Sequence, residues 1–200
     1  MSDISIPALP SPLAWLNQPQ SWNWSPNSEL TITAEAHTDW FIDPQGAYSA
    51  NNAPALLFAS HSPCLLSAYI TVNYAATYDA GVLALYQQPH AWAKLCLELS
   101  PHRQLAVVSV VTRDVSDDCN AVGVVGQSAY LRVARLERAF AFHYSPDGVT
   151  WSLIRYFSLE HNADVQMGFL AQSPVGSGCA VTFAAIRYEP RLLADIRSGE

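Results

Sequence analysis

The segment Ala91–Leu99 contains several side chains that could bind a ligand or move a proton. Side chains two residues apart in a strand lie on the same face, so Trp92, Lys94 and Glu98 would share one side of a sheet. Lys94 is the only lysine of the chain, and mid-strand positions rarely favour lysine. An aromatic ring can stack on a sugar while charged groups bind its hydroxyls. The segment therefore predicts a ligand-binding face.

Arg132 and His143 form a second group that could do chemistry. If Glu137-Arg138 is a tight hairpin turn, Arg132 pairs directly with His143 on the polar side of two strands. A guanidinium and an imidazole could both face a carboxylate or a phosphate. We expect them to point out of the same side of one sheet as Lys94 and Glu98, with Arg132 as the partner of Glu98.

The same side chains also have a purely structural interpretation. A single histidine on such a face is often a hydrogen-bonded structural residue, and the charges could form cross-strand ion pairs on a solvated face. Two further polar segments, 38–41 and 172–174, lie at predicted strand ends. Their Asp39 and Gln172 could contribute to the rim of a site, or these segments could simply end their strands.

Segment 114–120 offers several oxygen atoms within a short span. We expect a long loop here, in which Asp114, Asp117 and Asp118 are candidate ligands for a calcium ion. Their spacing matches no EF-hand, and residues of these types also form turns and helix caps. The interpretation without a metal is therefore favoured.

Other motifs that would point to a cofactor or a reaction are missing from the sequence. The four cysteines are widely scattered, whereas zinc and redox sites need local pairs, so we predict free thiols with disulfides as the alternative. There is no P-loop, G-x-G-x-x-G, G-x-S-x-G or H-E-x-x-H motif, and we predict no cofactor. Glu98 has no carboxylate two or four residues away, which disfavours hydrolysis by paired carboxyl groups.

The composition is that of a folded, acidic chain of 200 residues. Ten basic and seventeen acidic residues give a net charge of −7, which excludes a conventional nucleic-acid partner. Hydrophobic residues make up 50% and charged residues 14%, so the chain can fill a core. No stretch approaches the ~20 apolar residues of a membrane helix, and no secretory leader is apparent. We expect one domain over 1–200, in the cytoplasm and without a membrane partner.

Short runs of β-branched and aromatic residues, separated by turn residues, dominate the sequence and predict an all-β fold. The expected strands lie at 30–33, 56–59, 65–74, 81–86, 91–99, 105–113, 130–136, 139–145, 149–157, 164–171 and 180–188. So many short antiparallel strands indicate a sandwich or a barrel.

The clearest turn is predicted at Ser145-Pro146-Asp147-Gly148, because proline presets φ, aspartate bonds nearby amides and glycine accepts a positive φ. Together with Trp151, this turn is similar to the Asp-box of sialidase hairpins, in which the aspartate stabilises the turn and does no chemistry. Either register of the hairpin would place Phe140 and Phe142 on the core face with Trp151 and Leu153.

Several segments occur in an order and at a spacing that resemble a known family. They are 38–41, 78–83, 92–94 with Glu98, 109–112 followed by Ser116-Asp117, 145–148 with Trp151, and 172–174. The succession resembles the domain of unknown function 1349 family, which includes the regulation-of-enolase protein and belongs to the concanavalin A-like lectin/glucanase superfamily. The resemblance spans nearly the whole chain, with a core over 15–188.

This resemblance implies a jelly-roll sandwich of two antiparallel sheets. It implies no reaction, because the family has none established, and its shared Lys94, Glu98, Ser116, Asp117 and Arg155 positions are therefore not assigned as catalytic. Members of the superfamily bind or cleave glycans on the concave sheet, which is an analogy of fold.

Three functions are compatible with these observations, and we rank them in this order. The first is a module that binds a saccharide, or an acidic or phosphorylated sugar, without catalysis. The second is a lyase or isomerase in which Arg132 and Lys94 neutralise a carboxylate while His143 or Glu98 moves a proton. The third is a regulatory module whose partner is a metabolic enzyme. The candidate ligand-binding residues are Trp92, Lys94, Glu98, Arg132, His143, Asp39 and Gln172.

Overall fold

The structure, a computed structural model, describes residues 4–159 and 164–200; residues 1–3 and 160–163 of the expected domain lie outside this description. The described residues form sixteen strands and no helix. The strands are β1 (Leu13–Leu16), β2 (Ser21–Trp24), β3 (Leu30–Glu35), β4 (Trp40–Ile42), β5 (Ser49–Asn51), β6 (Ala55–Ala59), β7 (Cys64–Val72), β8 (Ala80–Gln88), β9 (Ala91–Leu99), β10 (Leu105–Arg113), β11 (Val115–Gly123), β12 (Ser128–Arg135), β13 (Phe140–Ser145), β14 (Ser152–Phe157), β15 (Gln166–Gln172) and β16 (Gly178–Glu189).

Most of these strands form two antiparallel sheets that pack face to face. The first sheet has the order β1-β6-β15-β8-β9-β10-β11, and the second has the order β14-β13-β12-β7-β16-β3-β2. Side chains from the two inner faces form the main core, among them Leu95 and Leu97 of the first sheet and Val133 and Phe142 of the second. The expected all-β sandwich of two antiparallel sheets is confirmed.

Alternating side chains explain why these segments form sandwich strands. In β3, Leu30, Ile32 and Ala34 are buried in the core, while the two threonines between them are only half-buried. In β9, both faces are covered, because the outer face of this strand carries further packed layers. The described part of the chain contains no helix with the length and hydrophobicity needed to cross a membrane.

The expected long loop at 114–120 is wrong, because Val115–Gly123 forms strand β11. This strand lies at the edge of the first sheet and pairs only with β10, for example Asp118 opposite Val110. An edge strand needs little apolar burial, since its backbone hydrogen bonds do not depend on hydrophobic side chains. The polar composition of the segment therefore hid the strand.

The hairpin of β12 and β13 has the predicted register, with Arg132 opposite His143. The next hairpin does not, because a register shift between Phe142 and His143 places Leu153 opposite His143. Leu153 packs on the outer face of the second sheet. The expectation that Trp151 and Leu153 share the core face with Phe142 is therefore wrong; one bulge reverses the side on which the following residues lie.

The turn before β14 is built around the Asp147 carboxylate. Its Oδ1 atom accepts hydrogen bonds from the amides of Val149 and Thr150, both at 2.8 Å, and from the Ser145 hydroxyl at 2.9 Å. These bonds to the charged form lower the pKa of Asp147 to about 2. Gly148 takes the positive φ of 75° that the turn requires. The structural role predicted for this motif is confirmed.

We expect Asp147→Ala to lower the thermal midpoint of unfolding at neutral pH, because two turn amides lose their acceptor. The destabilisation should shrink as the pH falls from 3.8 towards about 2, since wild-type Asp147 then becomes protonated as well. Thermal unfolding of both proteins across this pH range tests this. An equal loss of stability at every pH would contradict it.

Candidate functional site

A pocket of about 480 Å³ opens on the outer face of the first sheet. Its floor is formed by outward-facing side chains of three adjacent strands, namely Lys94, Glu98, Val108, Val110, Asp118 and Asn120. Its walls come from neighbouring segments and include Asp39, Phe41, Tyr48, Tyr78, Gln172, Pro174 and Val175. The pocket therefore combines carboxyl, amide and aromatic groups over an apolar base.

Strand register explains why the floor residues share one face. Val110 of β10 pairs with Lys94 on one side and with Asp118 on the other, so the three lie in one row across the sheet. Glu98 is four residues further along β9, at a separation of about 13 Å by strand rise. The prediction that Lys94 and Glu98 share a face is confirmed, and both line the pocket.

The Lys94 ammonium is buried at the base of the pocket and has two protein partners. Its Nζ atom lies 3.1 Å from Asp39 Oδ1 and donates to Gln172 Oε1 at 2.9 Å. Burial, the largest single cause, opposes the charged form, but the Asp39 charge and hydrogen bond together with the charges of Cys96 and Glu98 outweigh it, and the pKa of Lys94 is raised. Lys94 thus stays charged, and its charge is already balanced by Asp39.

Asp39 and Gln172 meet at Lys94 because their segments are bridged. The backbone amides of Thr38 and Ser173 each donate to the other residue's carbonyl, at 3.3 and 3.1 Å. The Ser173 hydroxyl in turn donates to the buried Asp79 carboxylate at 2.6 Å. Asp39 and Gln172 were predicted as candidates from the sequence, but no local pattern indicates that a serine and an aspartate hold them together.

Glu98 is the least compensated acidic group of the pocket. In the part of the chain that the structure describes, its carboxyl group makes no hydrogen bond and no ion pair. Burial raises the pKa of Glu98 to about 8; Lys94 opposes this increase, while the charges of Asp118 and Asp39 add to it. At neutral pH the protonated form predominates, so Glu98 can donate a hydrogen bond to a ligand.

Tyrosine side chains form the open rim of the pocket. Tyr48 is 44% exposed and Tyr78 is 40% exposed, although both line the pocket. The pKa of Tyr48 is raised, first by partial burial and then by the Asp39 charge. Neither tyrosine was among the predicted site residues. Their signal was weak, because Tyr48 lies in a loop and Tyr78 just before a strand.

Trp92 does not offer the open stacking surface that was predicted. It lies on the Lys94 face, but its side chain is 1% exposed because Trp40 packs against it with ring centroids 5.8 Å apart. Trp40 belongs to β4, which pairs with β5 and is held on the sheet by a bond from the Ile42 amide to the Ser116 hydroxyl. Trp92 therefore packs between its own sheet and the β4–β5 pair that covers it.

Arg132 and His143 are not part of the pocket, and the prediction that they join it is wrong. They lie in the second sheet, on its outer face, where segment 190–200 covers them. Arg132 Nη2 donates to the Gly199 carbonyl at 2.7 Å, and the Trp151 ring lies 4.0 Å from the guanidinium carbon. Alternation predicts the face of a residue but not its sheet. Arg132 is therefore not the partner of Glu98.

His143 is neutral in its covered position. Its Nε2 atom donates to the Ile196 carbonyl at 2.8 Å, while its buried Nδ1 atom has no hydrogen-bond partner in the described chain. Burial lowers the pKa of His143 to about 4; the Ile196 bond opposes this decrease and the nearby Arg132 charge adds to it. The structural interpretation of this histidine therefore fits the geometry, and a role in proton transfer at Lys94 does not.

The three candidate calcium ligands point to different places. Asp117 forms an ion pair with Arg155 at 2.8 Å, which links the edges of the two sheets, whereas Asp118 faces the pocket. Asp114 lies in the turn between β10 and β11 at a φ of 65°. Across residues 4–159 and 164–200, no three His, Cys, Asp or Glu side chains are grouped so that they could hold a metal ion. All four cysteines are free thiols, as predicted.

Residues 15–191 match a family described as protein of unknown function, DUF1349. This chain belongs to the DUF1349 family. A relative, the regulation of enolase protein 1 of Saccharomyces cerevisiae, is 27% identical over 173 residues, which cover 85% of both chains. The resemblance noted in the sequence is thereby confirmed.

Solved structures extend the likeness of fold beyond DUF1349. A functionally unknown protein from Saccharomyces cerevisiae matches with a TM-score of 0.82 and 23% identity, over 90% of this chain and 97% of that one. A xylan beta-1,4-xylosidase from Bacillus halodurans matches with a TM-score of 0.66 and 12% identity, over 81% of this chain and 33% of that one. An alginate lyase from Klebsiella pneumoniae matches with a TM-score of 0.57 and 11% identity, over 84% of this chain and 83% of that one. At these identities the likeness concerns the fold alone.

For this DUF1349 chain, we expect Lys94→Met to lower the free energy of unfolding by about 3–5 kcal/mol, because it leaves the Asp39 carboxylate buried without a counter-charge. The double variant Lys94→Met/Asp39→Asn should be more stable than Lys94→Met alone. Urea unfolding of the three proteins measures this coupling. Additive losses in the double variant would show that the ion pair does not organise the pocket.

We expect the stability of the DUF1349 chain to fall as the pH drops from 6.5 to about 4, in part through His143. His143 in the unfolded chain takes up a proton below pH 6.5, whereas in the folded chain it does so only near pH 4. Between these values the free energy of unfolding therefore falls by at most about 1.4 kcal/mol for each pH unit. His143→Gln should flatten urea-derived stability over this range, and the exposed His102→Gln should not. Identical profiles for the two variants would contradict the assignment.

Proposed function

We propose that this DUF1349 chain binds a saccharide, without catalysis, in the pocket over β9, β10 and β11. The observation that carries the proposal is the combination of half-exposed Tyr48 and Tyr78 at the rim with hydrogen-bonding groups on the floor. Aromatic faces can stack on the C–H groups of a sugar ring, while carboxyl and amide groups bind hydroxyls. The volume of about 480 Å³ lies within the usual range for small-molecule sites.

Each floor group suits a hydroxyl-rich ligand. Protonated Glu98 donates a hydrogen bond, the Asp118 carboxylate accepts one, and the Asn120 amide can do both. Val108 and Val110 between them give the floor an apolar base on which C–H groups can pack. A saccharide presents this mixture of donors, acceptors and C–H surface.

The charge of the pocket favours an uncharged saccharide over an acidic or phosphorylated one. An anion would need a cation that the protein does not already compensate, but Lys94 is paired with Asp39 at 3.1 Å. Among the residues that the structure describes, neither an arginine nor a histidine lines the pocket. An anionic group would instead lie in the same pocket as the Asp118 carboxylate, which like-charge repulsion disfavours.

Binding without reaction is the simplest function for this arrangement. The lyase or isomerase considered above needs Arg132 beside Lys94 to neutralise a carboxylate, with His143 or Glu98 moving the proton, but Arg132 and His143 lie in the other sheet. The xylosidase and alginate lyase of similar fold are analogies that support a saccharide as the ligand class, since fold alone does not imply function.

A second candidate function is suggested by the name of the yeast relative, regulation of enolase protein 1. A module that binds a metabolic enzyme would form a complex of defined stoichiometry with it. Sedimentation of this chain with purified enolase tests that function independently of any sugar. A complex that persists when Tyr48 is replaced by alanine would place the partner surface outside the pocket.

We expect Tyr48→Ala to weaken binding of a neutral oligosaccharide by about 2- to 13-fold, as the loss of an aromatic contact of about 0.5–1.5 kcal/mol would do. The control is Tyr156→Ala, since Tyr156 is 54% exposed but lies on β14 of the second sheet. Calorimetric titration against a panel of neutral mono- and oligosaccharides measures both. No binding of any panel member at millimolar concentration, or equal weakening in both variants, would refute saccharide binding at this pocket.

A further inference from the structure

Arg132 is a buried cation without an acidic partner. The residue is 4% exposed, and no ion pair among the described residues includes it. Its Nη2 atom donates to the Gly199 carbonyl at 2.7 Å, but its buried Nε atom has no hydrogen-bond partner in that part of the chain. Buried arginines are nearly always paired, because an uncompensated charge away from water is strongly destabilising. The guanidinium is therefore able to bind an anion that the described residues do not supply.

The charges near Arg132 do not balance it. Burial, and after it the charge of Arg191, lower the pKa of Arg132 to about 10, while the Glu189 charge opposes this decrease. Glu189 pairs with Arg191 at 2.8 Å, so its charge is already compensated. The Trp151 ring, whose centroid lies 4.0 Å from the guanidinium carbon, stabilises the cation but does not neutralise it.

His143 provides a second donor beside Arg132. The two residues are direct cross-strand partners, and His143 Nε2 donates to the Ile196 carbonyl at 2.8 Å. Both side chains border the same small volume, because a methyl group on Gly199 would contact Arg132 Nη2 and would lie 3.3 Å from His143 Cδ2. Two N–H donors that flank one volume suit the oxygen atoms of a carboxylate or a phosphate.

The segment 190–200, which covers this volume, is attached to the sheet at few points. Its Leu193 packs on the outer face of the second sheet, and its carbonyls accept the two hydrogen bonds from Arg132 and His143. Its main-chain hydrogen bonds to other main-chain groups are local: Asp195 donates to Glu200, and Gly199 donates to Asp195. Most of its side chains are exposed. A segment with so few contacts to its surroundings can detach at a low cost in free energy.

We propose that Arg132 and His143 form a second binding site, for an oxyanion, which segment 190–200 closes by placing two main-chain carbonyl oxygens where the anion would bind. When the anion binds, the segment detaches and Arg132 exchanges a neutral carbonyl for a negatively charged partner. This site does not depend on the saccharide pocket, which lies on the outer face of the first sheet.

Gly199 provides a way to open the site in the full chain. Its φ is 77°, and an added methyl group would collide with Arg132 Nη2 and would lie 2.7 Å from Trp151 Cβ. Gly199→Ala therefore disfavours the closed position of the segment. The matched control is Gly46→Ala, because Gly46 has the same φ of 77° but no atom within 4 Å of an added methyl group. The comparison separates the collision from the strain of the backbone.

Inorganic phosphate and acetate are the probes, titrated by calorimetry at constant ionic strength in chloride. We expect Gly199→Ala to bind at least one of them about 10-fold more tightly than the wild type or Gly46→Ala, because the closed segment competes with the anion in those two proteins. The anion that binds identifies the chemical group. Adding Arg132→Met to Gly199→Ala should abolish the binding, and thermal unfolding checks that each variant is folded.

Anion binding should also release the segment in the wild type. We expect the preferred anion, at a concentration that saturates Gly199→Ala, to accelerate tryptic cleavage after Arg191 and Arg197 several-fold. The same anion should have no effect on this cleavage in Arg132→Met. This assay needs no change at Gly199, so it decides the question even if Gly199→Ala does not fold.

Three results would overturn the proposal. The first is equal affinity of Gly199→Ala and Gly46→Ala for both anions, which includes the absence of binding. The second is binding that persists when Arg132 is replaced by methionine, because the anion would then lie elsewhere. The third is a cleavage rate in the wild type that does not change with the anion, which would show that segment 190–200 does not close the site.

Discussion

The ion pair between Lys94 and Asp39 joins parts of the chain that are far apart in sequence. Lys94 stands in the middle of β9, Asp39 precedes β4, and Gln172 ends β15, yet the three meet at one ammonium group. A buried ammonium without partners would be strongly destabilised, so the surrounding segments must come to it. The position of the pocket wall and the orientation of the β4 segment follow from this requirement.

The same pair determines the electrostatic character of the site. Because Asp39 balances Lys94, the pocket offers no spare positive charge to the carboxyl groups of Glu98 and Asp118, which also line it. Burial is the main cause of the raised pKa of Glu98, and the charges of Asp118 and Asp39 add to it. A face that looks mixed in sequence, with one lysine and one glutamate, therefore acts in the folded protein as a neutral to acidic site.

Some features of this site could be predicted, and others depended on packing. The alternation in Ala91–Leu99 correctly placed Lys94 and Glu98 together, because side-chain direction in a strand is set by the backbone itself. The same rule could not show that Trp40 would cover Trp92, since the covering hairpin is distant in sequence. It also missed β11, whose polar residues are tolerated at a sheet edge.

Local chemistry in the sequence alone determined the all-β class, the Asp147 turn and the pairing of Arg132 with His143, because backbone alternation and turn geometry act over a few residues. Only the tertiary structure decided that this pair belongs to the second sheet while Lys94 belongs to the first. Which strands become neighbours depends on long-range pairing and on burial of the shared core. No pattern within a single hairpin records that choice.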